Sequence, residues 1–116
     1  MKLDEICRRL VLEHLTAELP LDGVEVTSGF ASDLLSDVLS NADRGSVLVT
    51  VQVHLNVIAV AVHADLAAVV FAAGRRPEES VRLKAIEERI PLLVSAEPAF
   101  EVVGKLYAMG IRGRHA

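Results

Sequence analysis

A single small α/β domain, with a mainly parallel sheet of βα units and flanking helices, is the fold class that three features of these 116 residues predict. Strand-length apolar runs alternate with helix-length amphipathic ones, and three strand-then-helix units in succession imply a parallel sheet with right-handed crossovers. The chain is 52% apolar but only 3% aromatic, so its core is Val, Leu, Ile and Ala, the composition of strands covered on both faces. Its length is that of one domain, typically about 100–150 residues, enough to bury a core without a metal or disulfide staple.

Apolar residues at 3, 6, 7 and 10 have helical spacing, and Asp4 and Glu5 fall in the first turn, where the helix dipole favours acids. Val11 to Leu15 reads as a strand. Glu18-Leu19-Pro20-Leu21-Asp22-Gly23 is a turn, because Pro fixes φ and Gly permits positive φ. Val24 and Val26 alternate with Glu25 and Thr27, which predicts a strand at 24–27 running into Thr27-Ser28-Gly29. Ser32 and Asp33 are placed to cap a helix to about Ser40, with Leu34, Leu35, Val38 and Leu39 on one face. Asp43-Arg44-Gly45 then turns the chain.

From Ser46 to Val62 the alternation alone would give one long strand, an outlier against the usual five or six residues. A parallel neighbour also needs a crossover of about a dozen residues. The run therefore divides into a strand at 46–52 and a helix at 54–64, where Ala59, Ala61 and Ala64 support the helix. Leu66 to Ala72 is the next strand, closed by Gly74. Pro77, Glu78 and Glu79 open a helix to about Arg89, in which Glu78 and Arg82 form an i, i+4 pair. Pro91 to Val94 is a third strand. Pro98 starts the last helix, with Phe100, Val103, Leu106 and Tyr107 as its apolar stripe and Gly110 at its end. The domain spans 1–111, and 112–116, with Arg112 and Arg114, is expected to be a flexible tail.

Four segments, in order and in register, resemble the DRTGG domain family: Asp22 to Gly29, Ser32 to Val38, the Thr-x-Gln-x-His-x-Asn run from Thr50 to Asn56, and the Gly-Arg-x-Pro turn from Gly74 to Pro77. The likeness runs from Met1 to Ile111 and is strongest to small stand-alone members. Asp22 and Thr27 fit the name-giving pattern, but no arginine lies between them and Ser28 replaces its first glycine, so no role for that arginine carries over. The resemblance implies a fold similar to the amino-terminal domain of the histidine-protein serine kinase/phosphorylase. Such domains also occur in regulatory regions of pyrophosphatases and in phosphate acetyltransferases. The expectation is an accessory or regulatory domain, often paired with a copy of itself, that is not itself a catalyst.

Charge and composition exclude other classes. A net charge of −4 gives no footprint for nucleic acid. Charged residues in Met1 to Glu5 are unlike a signal peptide, and the most apolar run, Val57 to Val62, is far short of the ~20 residues of a membrane span. The lone Cys7 leaves no internal disulfide and suits a reducing cytosol. A cytoplasmic protein without membrane association is expected.

The candidate ligand site comprises Thr27, Ser28, Gly29, Ser32, Asp33, Gln52, His54, Asn56 and Arg75. Amides at a Thr27-Ser28-Gly29 turn before a helix would form an anion-binding concavity, although the same residues also read as a tight turn with an N-cap. His54 and Asn56 fall past the carboxyl end of a parallel strand, where open α/β sheets bind ligands. Arg75 follows the next strand and can bind phosphate bidentately, or it can simply face solvent. Asp33, Asp37 and His54 are a weaker alternative as an oxygen-rich Mg or Mn site. No cofactor and no metal are expected.

Two functions follow. One is a non-catalytic sensing domain for a nucleotide or other phosphorylated anion. The other is an interaction module that serves a partner enzyme without a small ligand. A homodimer is expected as well, because Val102, Ala108 and Met109 on the last helix, and Val57, Val60 and Ala64 on the 54–64 helix, lie outside the core stripes.

Overall fold

Val47-Leu48-Val49 and Val69-Val70-Phe71 carry no polar side chain, so strands built from them are stable only if both faces are covered. The computed structural model describes residues 1–113 and places these strands at the centre of one sheet. In chain order the elements are α1 (Leu3–Leu10), β1 (Glu13–His14), β2 (Ser28–Ala31), α2 (Leu35–Asn41), β3 (Ser46–Thr50), α3 (Asn56–Ala64), β4 (Ala68–Phe71), α4 (Glu79–Glu88), β5 (Leu92–Val94) and α5 (Ala99–Ala108). The strand order is β1-β5-β4-β3-β2, with β2 to β5 parallel and β1 antiparallel at one edge. The expected α/β class and mainly parallel sheet are therefore observed.

Alternate strand residues enter opposite layers. Val47, Val49, Ala68, Val70 and Leu93 pack with Leu3, Ile6 and Leu10 of α1 and with Val102 and Leu106 of α5. Leu48, Val69, Phe71, Leu92 and Val94 pack instead with Val38, Val57, Ile58, Ala61, Val81 and Ala85, on the three crossover helices α2 to α4. Three helices on one face and two on the other is what right-handed crossovers stepping one way across a sheet produce. Each fully buried side chain of this kind contributes roughly 1.5–3 kcal/mol.

Several expectations are corrected. The strand predicted at 24–27 is displaced to Ser28–Ala31. Glu25 instead makes a single antiparallel bridge with Lys2, and Val26 N–H donates to the Met1 carbonyl at 2.8 Å. The alternation of Val24 and Val26 thus serves the chain's first residues. Helix α2 begins at Leu35 without a side-chain cap, since Asp33 is engaged elsewhere; only Val38 of its expected stripe is fully buried, while Leu34 and Leu39 are exposed.

Arg82 pairs with Glu79 and Glu18 and not with Glu78. The stripe of α5 is rotated: Val102 and Leu106 are buried, whereas Phe100 is 85% and Tyr107 53% exposed. Val57 is also fully buried, so it and Val102 belong to the core and not to an outer face. The residues expected to begin a tail are partly fixed, since Gly29 N–H donates to the Arg112 carbonyl at 2.9 Å. The Arg112 guanidinium also lies 3.9 Å from the centroid of the Tyr107 ring. Residues 114–116 of that expected tail lie outside the described residues. No helix among the described residues is long and apolar enough to cross a membrane.

Candidate functional site

Strand β3 ends on a polar relay in which each side chain accepts the N–H two residues ahead. Gln52 N–H donates to Thr50 Oγ1 at 3.0 Å, His54 N–H to Gln52 Oε1 at 3.1 Å and Asn56 N–H to His54 Nδ1 at 3.0 Å. Such local bonds are an alternative to the strand ladder, and they carry the chain out of the sheet and into α3. Asp33 fastens the start of the relay, its Oδ1 accepting Thr50 Oγ1–H at 2.9 Å and Val51 N–H at 2.8 Å. This is the physical content of the Thr-x-Gln-x-His-x-Asn spacing. Ser32 and Ser95 make the same two-residue turn past β2 and β5, accepting from Leu34 N–H and Glu97 N–H.

The relay determines which polar atoms stay free. Because Nδ1 of His54 is an acceptor, the neutral ring carries its proton on Nε2. The carbonyl oxygen of Gln52 is used, which leaves its amide NH2 to donate. Both residues line a cleft of about 560 Å3 together with Val53, Leu55, Arg76, Glu78, Ser80 and Val81. No side chain caps α4, and Val81 and Arg82 N–H both donate to the Glu78 carbonyl, so the amides of Glu79 and Ser80 remain open there. Other grooves are smaller: about 390 Å3 between α3 and α4, about 230 Å3 beside Arg9 and Lys105, and about 140 Å3 of mainly apolar lining between β2 and α5.

Not all predicted site residues meet at this edge. Ser32, Asp33, Gln52, His54, Asn56 and Arg75 all follow the carboxyl ends of β2, β3 or β4. Thr27, Ser28 and Gly29 lie at the start of β2, at the other end of a four-residue strand about 13 Å long. Gly29 pairs with Val47, so the expected turn and its anion-binding concavity are replaced by strand. Ser28 Oγ lies 2.8 Å from Ser46 Oγ, and Thr27 Oγ1–H donates to the Arg44 carbonyl at 3.3 Å.

Arg75 does not line the cleft; Arg76 does. The Gly-Arg-Arg-Pro run marked this turn but could not say which guanidinium faces in. Arg76 pairs bidentately with Glu13, with Nη1 to Oε2 at 2.9 Å and Nη2 to Oε1. That hydrogen-bonded pairing holds the Glu13 carboxyl below its ordinary range and raises Arg76. Glu78 and Ser80 were also missed, since an acid and a hydroxyl in a first helical turn look like ordinary helix-start chemistry.

Asp33 and Asp37 do not converge with His54, as Asp37 Oδ1 accepts Asn41 Nδ2–H at 2.8 Å. Among the described residues no group of three or more His, Cys, Asp or Glu is arranged to hold a metal ion. Cys7 is half-buried, and burial, then Asp4, push its thiol up to about 11, which keeps it protonated at neutral pH.

No protein-family model and no curated protein matches the chain. Among solved structures it is similar to the CBS and DRTGG domains of the regulatory region of Clostridium perfringens pyrophosphatase, complexed with the activator diadenosine tetraphosphate. The TM-score is 0.67 at 11% identity, over 89% of this chain and 44% of that one. The fold is DRTGG-like. This DRTGG-like chain thus spans less than half the length of its structural neighbour. Its cleft opens at the carboxyl edge of the sheet, where α/β folds characteristically place ligands.

Proposed function

We propose that this DRTGG-like domain is a non-catalytic regulatory or sensing module that takes a nucleotide in the cleft between the β3–α3 relay and the start of α4. The observation that carries this reading is the donor character of the cleft. The relay consumes acceptor atoms internally and leaves the Gln52 amide and His54 Nε2–H, with the Ser80 amide at the start of α4, to face an oxyanion. A single carboxylate, Glu78, also lines it and asks the ligand for a donor. A nucleotide offers both kinds of group, its phosphates as acceptors and its ribose hydroxyls or base amino group as donors. The neighbour's nucleotide activator is consistent with this class of ligand, and a single unpaired cysteine suits a reducing cytosol.

Isothermal titration with ATP, ADP, AMP and inorganic phosphate tests the reading. Heat is expected with at least one nucleotide, and His54→Ala should weaken it by about tenfold, the value of a lost charge-assisted hydrogen bond. Arg75→Ala should leave it unchanged. Silence with every nucleotide, at protein concentrations well above a micromolar Kd, overturns the reading.

A second reading, a docking module for a second copy or a partner enzyme, is favoured by the exposed face of α5. Phe100, Val103 and Tyr107 are exposed there at i, i+3 and i+7 spacing, with Arg112 over the Tyr107 ring. Of the six residues from which a homodimer is expected, Val57 and Val102 are buried in the core, so this face of α5 offers the dimer a different contact. Sedimentation equilibrium near ten micromolar checks it: Phe100→Glu should give a mass of 12.5 kDa where the unaltered chain gives twice that. A mass of 12.5 kDa for both overturns the homodimer and leaves only the partner enzyme.

A further inference from the structure

We propose that Glu13 is an internal occupant of the anion position at Arg76, and that a phosphoryl group entering the cleft displaces it and frees β1. This rests on the nucleotide reading above and adds its regulation. Among the described residues Arg76 is the one arginine lining the cleft, and the Glu13 carboxylate engages its guanidinium on two N–H groups, as a phosphoryl group would. Both partners are more than half exposed, so water screens the pair and it exchanges readily. A dianionic phosphoryl group held also by the His54 and Gln52 donors is a stronger competitor than a lone carboxylate.

What the displacement would change is equally local. Strand β1 is two residues long, at the sheet edge, and Glu13 is its first residue. The chain just beyond is separately tied: Leu15 N–H donates to the Leu92 carbonyl at 2.9 Å, Leu92 N–H to Thr16 Oγ1 at 3.0 Å, and Arg82 pairs with Glu18. Release of Glu13 therefore loosens residues 13 and 14 and stops at Leu15. Ligand occupancy becomes a change in one sheet edge, a form in which a neighbouring domain or partner can read it.

The test titrates the full chain and its Glu13→Gln and Glu13→Gln/Arg76→Gln variants with ATP and with inorganic phosphate, and follows amide hydrogen exchange. Removing the carboxylate should tighten ATP binding by about three- to fivefold, the share of Arg76 that an exposed pair withholds. The double variant should lose that gain. In the unaltered chain ATP should speed exchange at Glu13 and His14 and leave Leu15 unchanged. Equal ATP affinity with and without Glu13, or exchange at Glu13 indifferent to ATP, overturns the switch while the nucleotide reading stands. Silence of all three proteins toward ATP and phosphate overturns both. A gain with phosphate equal to that with ATP retains the switch and moves the ligand from nucleotide to free phosphate.

Discussion

The two ends of the parallel sheet both carry polar side chains and finish in opposite states. At the amino end Thr27, Ser28 and Ser46 spend their hydroxyls on one another and on the Arg44 carbonyl. Gly45 closes the turn by bonding to Asp65, which also pairs with Arg44 at 2.9 Å. At the carboxyl end Gln52 and His54 accept from the backbone and so leave donors unspent, while Thr50 accepts in the same way but gives its own proton to Asp33. The difference lies in direction. Hydroxyls that bond across strands cancel, whereas the longer Gln52 and His54 side chains bond forward along the chain and leave one side of each group unused. Polar residues alone therefore do not mark a site; unspent donors on a cleft do.

The largest expected effect breaks the closed end. Gly45 has φ +79°, and a Cβ there would meet Thr27 Oγ1 at 2.6 Å. Gly45→Ala should cost about 2 kcal/mol or more, from left-handed strain plus the displaced threonine. Denaturant unfolding measures that loss, and nucleotide affinity should be unchanged, since the cleft is a strand's length away. A parallel loss of affinity would show that the two ends are one structural unit.

That separation of the ends was only half legible in the sequence. The helices and central strands were readable because their apolar periods are long: 3, 6, 7 and 10 in α1, and the unbroken Val and Leu of β3 and β4. Short elements failed where partners are distant. Val24 and Val26 alternate like a strand, but whether residues 24–27 or 28–31 pair with β3 depends on the Glu25–Lys2 bridge, which no local pattern encodes. On α5, Phe100, Val103 and Tyr107 make as regular a stripe as Val102 and Leu106, and packing against β3 decides between them. At the site, the spacing of Thr50, Gln52, His54 and Asn56 was visible as a motif, while its anchor Asp33 looked like a helix cap. The choice of Arg76 over Arg75 is one of side-chain direction and was not readable.

A smaller effect is expected from loosening the open end. Asp33→Ala removes the acceptor for Thr50 Oγ1–H and Val51 N–H, at a cost of about 1–2 kcal/mol, because Thr50 is buried while Val51 is nearer water. Nearly all the consequence should be local. The amides of Val51, Gln52 and His54 should exchange faster while Gly45 and Ser46 keep their protection, and nucleotide binding should weaken because the donors are no longer held in place. Normal protection at Gln52 and His54 would mean that the relay stands without its anchor.

The smallest effect concerns strain kept at the open end. Past β4 the chain turns through Ala73 at φ 57° and Gly74 at φ 68°, both left-handed, and Ala73 is exposed. An L-residue there costs about 1–2 kcal/mol, which glycine avoids, and glycine gives back about 0.4–1 kcal/mol through the greater freedom of the unfolded chain. Ala73→Gly should therefore stabilise the fold by about 0.5 kcal/mol, a small rise in the denaturation midpoint at constant slope. The turn is fastened through its backbone, by Ala73 N–H to the Glu97 carbonyl at 2.7 Å and Gly74 N–H to the Ser95 carbonyl at 2.8 Å, and glycine keeps both donors. The position of Arg76, three residues on, should therefore persist, and nucleotide affinity with it. An affinity that falls while stability rises would mean that the methyl of Ala73 stiffens the turn presenting Arg76, and that the open end trades stability for the placement of that arginine.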